Sequence, residues 1–454
     1  MRASAYVALL LVTTLAVVGV VWFADDATQA LSTSNAAPRA TLHQALAKGD
    51  GRPTVIVLAL DGVRAANAGV CGYDRPTTPV MRKLQERGGA LVRCDVFAPT
   101  GFSPGAHASL LTGVGPLTHG VDAPGMALPQ TQQTLAAAMR GDGYQAALVS
   151  SSAALSHASG LLRDFDPVRL PRGGATLRGD ELSDALRRLL PNLRQSRPLF
   201  LYAAIGEATP PLHGVPEGHP WLEAGPAVQP DSFADTSTAI GRFLAGKSTE
   251  REVGQTLRTL RNSYDQGVHA ADATIERVMQ LLRREGWLKP GYRLIVLGTH
   301  GTFLGEHGVV GSGCHPGDHG ARVPLLYVDT TQDAHPVLPS PMSTRAIFEL
   351  ALHGQAPEAT DTVHYTRAFA GDRRACVVGM SRWDAQGNLL RWSEGAVRRT
   401  RPDRDPSERR AQATADPTTE ALGLAYDAWL SESSRREPDG RLLQQQRRDG
   451  IAPR

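Results

Sequence analysis

The feature that most constrains the fold is a series of short apolar runs that alternate with longer stretches of helical periodicity. The first run, Thr54–Leu60, is almost continuously apolar, as in a strand buried on both faces of a parallel sheet. Further strands are predicted at residues 90–97, 145–150, 199–205, 292–297 and 324–328, and helices at residues 78–88, 131–140, 182–190 and 256–285. This alternation predicts an α/β fold with a largely parallel central sheet and helices on both faces.

The pattern changes after residue 329. A helix at 343–352 is followed by a predicted hairpin, with strands at 375–380 and 389–392, and by a last helix at 421–430. We therefore expect a small C-terminal α+β subdomain built on a short antiparallel sheet. Two polar stretches are not assigned to strands or helices. We interpret 212–251 as an inserted surface loop and 398–410 as a solvated charged linker.

The N-terminus predicts an exported protein. Residues 5–23 form an uncharged apolar run, preceded by Arg2 and followed by Asp25 and Asp26. Its length and charge asymmetry favour an uncleaved signal anchor with the remainder outside the membrane, and a cleaved signal peptide is the alternative. The predicted organisation is an anchor at 1–23, a tether at 24–51, a main domain at 52–330 and a C-terminal subdomain with a charged tail at 331–454.

Charge and cysteine content exclude several classes of function. The net charge of +3 gives no reason to expect a nucleic-acid partner. The four cysteines lack the close spacing of a zinc site, and in an exported protein they allow up to two disulfides with three pairings. We therefore expect neither a redox nor a zinc-finger role.

One polar stretch carries most of the functional information. Ser103 is predicted to cap a helix that starts at Pro104 and ends at Gly113. A hydroxyl at a helix N-terminus lies where an anion such as sulfate or phosphate is favoured. Simple helix capping is the alternative interpretation.

The sequence of this stretch and of several others resembles motifs of the sulfatase family, in the alkaline phosphatase superfamily. The similarity lies in the small-residue helix ending Leu-Leu-Thr-Gly and in Pro-x-x-His-Gly, and it extends to the stretches at 60–64, 71–79, 264–265, 271–275 and 298–308 in the same order. This resemblance implies an alkaline-phosphatase-like sandwich with a small C-terminal α+β subdomain.

The resemblance also implies a chemistry. Family members hold a divalent cation with oxygen ligands and place a nucleophile on it, because an anionic ester must be neutralised before it is attacked. On this basis Asp61 and His300 are the predicted metal ligands and Ser103 the nucleophile. His107, at the position of a family arginine, is a candidate base, and His319 is the predicted anion contact. Calcium is the cation that the resemblance favours, with zinc or manganese as alternatives.

Several positions depart from the family pattern. The segment 103–107 does not match the formylglycine motif, so no formylglycine is expected. Thr299 replaces a metal-binding aspartate, and a neutral hydroxyl is a poor ligand for a hard cation. After the strand at 199–205, two family histidines are absent, while Glu207 keeps a carboxylate and His213 follows nearby. The run from Cys314 to His319, which includes Asp318, is a candidate source of replacement ligands.

The matches to the family pattern and the departures from it leave two possible functions. The first is a membrane-anchored, metal-dependent hydrolase of sulfate or phosphate esters that acts on an anionic ester substrate. The second is a non-catalytic protein of sulfatase fold that has lost its metal site and serves as a binding or scaffold protein. They differ at the metal, and the sequence specifies neither a substrate nor an oligomeric state.

Overall fold

Fifteen strands and ten α-helices are assigned in the computed structural model, which describes residues 52–171, 178–229, 231–358, 361–367, 377–393, 395–405 and 410–433. The strands are β1 Thr54–Leu60, β2 Leu91–Phe97, β3 Gln145–Ser150, β4 Val168–Arg169, β5 Leu199–Ile205, β6 Tyr292–Gly298, β7 Phe303–Leu304, β8 Val310–Gly311, β9 Arg322–Asp329, β10 Met342–Ser343, β11 Val363–Thr366, β12 Gly379–Trp383, β13 Leu389–Ser393, β14 Ala396–Thr400 and β15 Gln412–Ala413. The helices are α1 Pro79–Glu86, α2 Ser103–Thr112, α3 Pro116–His119, α4 Leu135–Gly141, α5 Gly179–Leu189, α6 Asp231–Leu244, α7 Glu250–Arg284, α8 Asp318–Ala321, α9 Ile347–His353 and α10 Pro417–Ser433.

The large sheet has eight strands in the order β10-β2-β9-β6-β1-β5-β3-β4. Among the described strands of this sheet, β9 alone runs antiparallel to its neighbours β2 and β6. The strand β1 pairs in parallel with β5 on one side and β6 on the other, so its carboxyl end lies near the middle of the sheet. The predicted α/β fold with a largely parallel sheet is confirmed.

Both faces of β1 are covered, which explains its uninterrupted apolar run. Ile56, Leu58 and Leu60 pack with residues of α5 and α7 in one core. Val55, Val57 and Ala59 lie in a second core with residues of α2, α4 and α9. Successive side chains of a strand point to opposite faces, so a strand between two helical layers has to be apolar throughout.

The C-terminal subdomain is a five-stranded antiparallel sheet, β11-β12-β13-β14-β15, with α10 packed beside it. The predicted hairpin is present as β12 and β13, joined through residues 384–388. The segment 398–410 was predicted to be a solvated charged linker, and the linker is wrong for its first residues, because β14 pairs with β13; Arg398 and Arg399 of this strand are exposed, as predicted. Val397 and Thr400 of this strand are buried, and Val397 packs in the core of the subdomain.

The segment 212–251 is likewise more ordered than the predicted surface loop. It contains α6, and Phe233 and Ile240 of this helix reach the first core. Its prolines and most of its glycines precede α6, which is why composition alone suggested a loop.

A disulfide joins Cys71 to Cys94 and so ties the segment after β1 to β2. Cys314 is also disulfide-bonded. Among the described residues, no helix has the length and apolar character needed to cross a bilayer. The predicted anchor at 5–23 lies outside the described residues.

Candidate functional site

The candidate site is built at the carboxyl ends of four neighbouring strands. Asp61 follows β1 directly, Thr299 and His300 follow β6, and Glu207 and Ser152 each lie two residues beyond the end of their strand, β5 and β3 respectively. Since these strands are adjacent in the sheet, their polar end residues come together at one edge. This is where ligands bind in open α/β sheets.

Asp61 is the centre of the site and is fully buried. Thr299 Oγ1 donates to its Oδ1 over 2.7 Å, and Ser103 Oγ donates to its Oδ2 over 3.1 Å. Ser152 Oγ also donates to Oδ2. His107 Nε2 lies 2.9 Å from Oδ1, although without the alignment of a hydrogen bond. Both carboxylate oxygens are therefore engaged by protein groups.

These contacts keep Asp61 ionised. Burial by itself would raise its pKa, because a buried charge loses hydration. The interaction with His107 at 2.9 Å, with smaller contributions from His300 and Ser152, outweighs burial and holds the pKa of Asp61 far below its ordinary value. The site thus contains a buried negative charge that the surrounding side chains stabilise.

His107 is held from its other side by Tyr202 of β5. Its Nδ1 lies 2.7 Å from the Tyr202 hydroxyl, and both side chains are buried. Burial, together with the charge of Asp61, raises the pKa of Tyr202 well above its ordinary value, so the phenol keeps its proton. Tyr202 therefore fixes the orientation of the imidazole beside Asp61.

Helix α2 places Ser103 and His107 in the site. The prediction that Ser103 is the N-cap is wrong: Phe102 has the extended N-cap conformation and Ser103 is the first helical residue. Its hydroxyl binds Asp61 instead of a backbone N–H, and it is partly exposed. Gly113 ends the helix in the left-handed conformation, with φ of 73°, as predicted.

His300 and His364 contribute two further buried imidazoles. His300 Nδ1 lies 3.0 Å from the Gly301 carbonyl, and His364 Nδ1 lies 2.7 Å from the Ala98 carbonyl. The Nε2 atom of each is buried and has no hydrogen-bond partner within the described ranges. Burial lowers the pKa of both side chains, to about 4 for His364, so both are neutral at neutral pH.

The residues present do not fit a hard divalent cation. Calcium takes six to eight oxygen ligands, roughly, and prefers carboxylates. Here Asp61 is the one carboxylate among the predicted ligands, its oxygens already accept from three hydroxyls, and Thr299 offers a neutral hydroxyl. In the part of the chain that the structure describes, no group of three or more His, Cys, Asp or Glu side chains could hold a metal ion.

The run from Cys314 to His319 does not supply replacement ligands. Asp318 binds Arg322 over 2.9 Å and accepts a hydrogen bond of 3.0 Å from Trp383 Nε1. Its carboxylate is thus used to fix the C-terminal sheet against α8.

His319, the predicted anion contact, lies beside Glu306. Its Nε2 is 3.9 Å from Glu306 Oε1, and the same carboxylate oxygen binds Arg64 over 3.0 Å. No described hydrogen bond or ion pair joins His319 to Ser103 or Asp61. The role of His319 stays a prediction.

Glu207 is a buried carboxyl without a cation in direct contact among the described residues. Its Oε1 accepts from Thr274 Oγ1 over 2.9 Å, while Oε2 has no hydrogen-bond partner there. Burial raises the pKa of Glu207 to about 7. His213 faces Arg178 and Asp180, and no described hydrogen bond joins it to Ser103.

Three residues of the site, Ser152, Tyr202 and His364, were missed from the sequence, and His364 comes from the C-terminal sheet, far away in the chain. Ser152 belongs to a run of three serines at the end of a correctly predicted strand, and that position at a sheet edge was a usable signal. Tyr202 is the one polar side chain in an apolar run, and nothing in its sequence context distinguishes it from a core tyrosine.

Comparison with known structures identifies the class of fold. A phosphonate monoester hydrolase from Agrobacterium radiobacter is 19% identical with a TM-score of 0.60, and covers 84% of this chain and 95% of its own. BT4656 in complex with its substrate, D-glucosamine-2-N,6-O-disulfate, is 14% identical with a TM-score of 0.63, and covers 88% and 99%. EcEptC from Escherichia coli, a periplasmic domain in complex with Zn, is 14% identical with a TM-score of 0.51, and covers 72% and 92%. The fold is that of the alkaline phosphatase superfamily.

Within that superfamily, the family profile described as Sulfatase matches residues 53–348. The chain therefore belongs to the sulfatase family. Members of this family bind a divalent metal, and the solved structures that it resembles include hydrolases. A search of curated proteins finds no match.

Proposed function

We propose that this chain is a sulfatase-family protein that does not hydrolyse esters through a bound divalent metal and acts instead as a binding or scaffold protein. One observation carries the proposal: the carboxylate of Asp61 is engaged on both oxygens by Thr299, Ser103, Ser152 and His107. A carboxylate satisfied in this way has no need of a cation, and binding one would require these contacts to break.

The charge of the site supports the same proposal. Hydrolysis of an anionic ester requires positive charge where the transition state becomes more negative. Here the buried Asp61 carboxylate lies next to the Ser103 hydroxyl, and the nearby guanidinium of Arg64 is paired with Glu306. An incoming sulfate or phosphate would meet a negative charge at Ser103. Because catalytic groups act as a unit, losing several of them together is not made up by those that remain.

The second candidate function is hydrolysis of sulfate or phosphate esters, the activity of the family. The observation that favours it is the partly exposed Ser103 hydroxyl, which donates to an ionised carboxylate and lies at the start of α2. An anionic ester, such as a sulfated sugar like the substrate bound by BT4656, would be the corresponding substrate.

Metal content separates the two functions. The full chain is purified in detergent beside the Asp61→Ala variant, and calcium, zinc and manganese are measured by mass spectrometry after incubation with excess of each ion. We expect no stoichiometric metal in either protein. Near-stoichiometric metal in the wild type that is lost in Asp61→Ala would overturn the proposal and favour the hydrolase.

Turnover provides the second measurement. We expect 4-nitrophenyl sulfate, 4-nitrophenyl phosphate and a phosphonate monoester to be hydrolysed no faster by the wild type than by the Ser103→Ala variant. Turnover that depends on Ser103 would contradict the proposal even if no metal were found.

We also propose that residues 5–23 anchor the protein in a membrane and that the sulfatase-like part lies outside it. The support is the charge pattern, with Arg2 before the run and Asp25 and Asp26 after it. Extraction of membranes at high pH tests the anchor, because an integral protein stays with the lipid. Recovery of the chain in the soluble fraction would contradict anchoring.

A further inference from the structure

The loop between β8 and α8, residues 312–317, covers the segment that leads into Ser103. Gly313 lies against Gly101 so closely that a Cβ atom on Gly101 would be 2.5 Å from the Gly313 nitrogen. Real Cβ atoms do not approach backbone atoms to that distance. The two segments can therefore lie in contact here only because both residues are glycines. Movement of the 312–317 loop would therefore uncover the start of α2.

One side of the 312–317 loop is held by the C-terminal sheet. The Cys314 carbonyl accepts a hydrogen bond of 2.8 Å from the Val377 N–H, and the Pro316 carbonyl accepts one from the Ser381 hydroxyl. Trp383 Nε1 donates to Asp318 immediately beyond the loop. Cys314 itself is disulfide-bonded, so opening of the loop would have to take place around this covalent link; none of these contacts involves a group that titrates as histidine does.

The other side is held by histidine rings. His315 of the loop stacks on His307, with ring centroids 4.3 Å apart and planes 9° from parallel. Both rings also meet the edge or face of Phe303, at 5.4 Å for His315 and 6.1 Å for His307. His307 lies before β8 and His315 after it, so this stack joins the loop to the β7–β8 hairpin.

Protonation of His307 or His315 would destabilise this stack. The charged and titratable groups that face the two rings are Arg391 of β13, His364 of β11, His319 of α8, Glu306 beside His307, and Asp405. Glu306, the nearest acid to His307 in the chain, is already paired with Arg64. Burial, and after it the charge of Arg391, lowers the pKa of His307 to about 4 and that of His315 to about 2. The stack is thus stable only while both imidazoles are neutral.

We propose that the stacked pair His307–His315 holds the 312–317 loop against Gly101 at neutral pH, and that acidification opens the loop by protonating this pair. The inference goes beyond the proposed function and does not depend on it, because access to Ser103 would change with pH whether the site binds or hydrolyses its ligand.

The size of the effect follows from linkage. In the open loop each imidazole has an ordinary pKa, whereas in the closed loop its pKa is depressed, so lowering the pH favours opening. Between about pH 7.5 and about pH 5 each histidine raises the opening constant by about 30-fold. This acid-driven change is large enough to measure.

Hydrogen exchange of the full chain in detergent tests the proposal. Exchange of the 312–317 loop and of the segment before Ser103 is compared at about pH 7.5 and about pH 5 in the wild type and in His315→Phe, which keeps an aromatic ring but cannot be protonated. Comparison of the proteins at the same pH cancels the intrinsic pH dependence of exchange. His335→Gln, at an exposed histidine away from the stack, is the matched control.

We expect acid to open the loop in the wild type and in His335→Gln, and the opening to be about 30-fold weaker in His315→Phe, which retains one of the two histidines. If His315→Phe is unstable at neutral pH, His307→Asn replaces it, since Asn tolerates the left-handed backbone that His307 adopts with φ of 56°. An equal acid response in wild type and variant, or no response in the wild type, would overturn the proposal.

Discussion

His107 Nε2 lies 2.9 Å from Asp61 Oδ1 at the buried base of the site. The two residues meet because Ser103 and His107 are four positions apart on α2, so both side chains face the end of β1. The hydroxyl of Tyr202 contacts the other ring nitrogen of His107, Nδ1, at 2.7 Å. The side chain next to the Asp61 carboxylate is thus the imidazole of His107.

The His107→Ala variant tests how much this contact stabilises the fold. Removing one partner of a buried pair leaves the other charge uncompensated, so we expect the free energy of unfolding to fall by about 3 to 5 kcal/mol. Urea denaturation at neutral pH measures the change. The Tyr202→Phe variant, which loses only the hydrogen bond to Nδ1, should lose about 1 kcal/mol. Equal losses in the two variants would argue against an important role for the Asp61 contact.

The Thr299→Asp variant should acquire metal-dependent stability. Thr299 Oγ1 is 2.7 Å from Asp61 Oδ1, so a second carboxylate there would repel the first. We expect a lower melting temperature in the presence of a chelator and a rise on addition of calcium or zinc, equivalent to about 2.7 kcal/mol at a hundredfold excess over Kd.

Thr299→Asn is the matched control for this variant, since it changes shape in a similar way without adding charge. It should not respond to the ions, and neither should the wild type. A wild-type melting temperature that rises with calcium as much as that of Thr299→Asp would contradict the argument.

The Glu207→Gln variant should be stabilised relative to the wild type as the pH rises. The pKa of Glu207 is raised to about 7 in the folded protein, above its ordinary value of 4.5, so the folded state resists ionisation that the unfolded state allows. Stability is therefore lost as the pH rises from the unfolded pKa through the folded one, by about 3 kcal/mol.

Glutamine cannot ionise and can still accept from Thr274 Oγ1. The difference in free energy of unfolding between variant and wild type should therefore grow between about pH 4 and about pH 8. A difference that stays constant over this range would show that burial of Glu207 does not oppose its ionisation.

The disulfide between Cys71 and Cys94 closes a loop with a sequence separation of 23 residues. In the chain-entropy description, a loop of this size contributes about 3 kcal/mol by restricting the unfolded chain. We expect the double variant Cys71→Ser with Cys94→Ser to unfold at correspondingly lower urea concentration. Unchanged stability would mean that the unfolded chain is already compact in this region.

Much of the fold was predictable because the buried strands are marked by continuous apolar runs. The predicted strand at 145–150 agrees with β3 at both ends, and the position of Asp61 after β1 follows directly from such a run. The helix α6 was not predicted, since Pro and Gly residues just before it dominate the composition of that segment.

The site was predictable only in part. The sequence placed Asp61, Ser103 and His107 together through their family resemblance, and in the structure Ser103 donates to Asp61 while His107 Nε2 lies 2.9 Å from its carboxylate. It did not predict that Ser103 would donate to Asp61 instead of capping α2, because that choice depends on where the end of β1 lies relative to the helix. The contribution of Tyr202 depends on strand pairing that sequence spacing does not encode.

The hydroxyls and the imidazole that surround Asp61 have a consequence for how the protein folds in the cell. If the site binds no metal, as proposed above, the chain would reach its final form without waiting for an ion to be delivered. Its abundance would then be insensitive to chelators and to mineral supply, and mutations at Ser152 or Thr299 would matter during folding rather than during any encounter with a ligand.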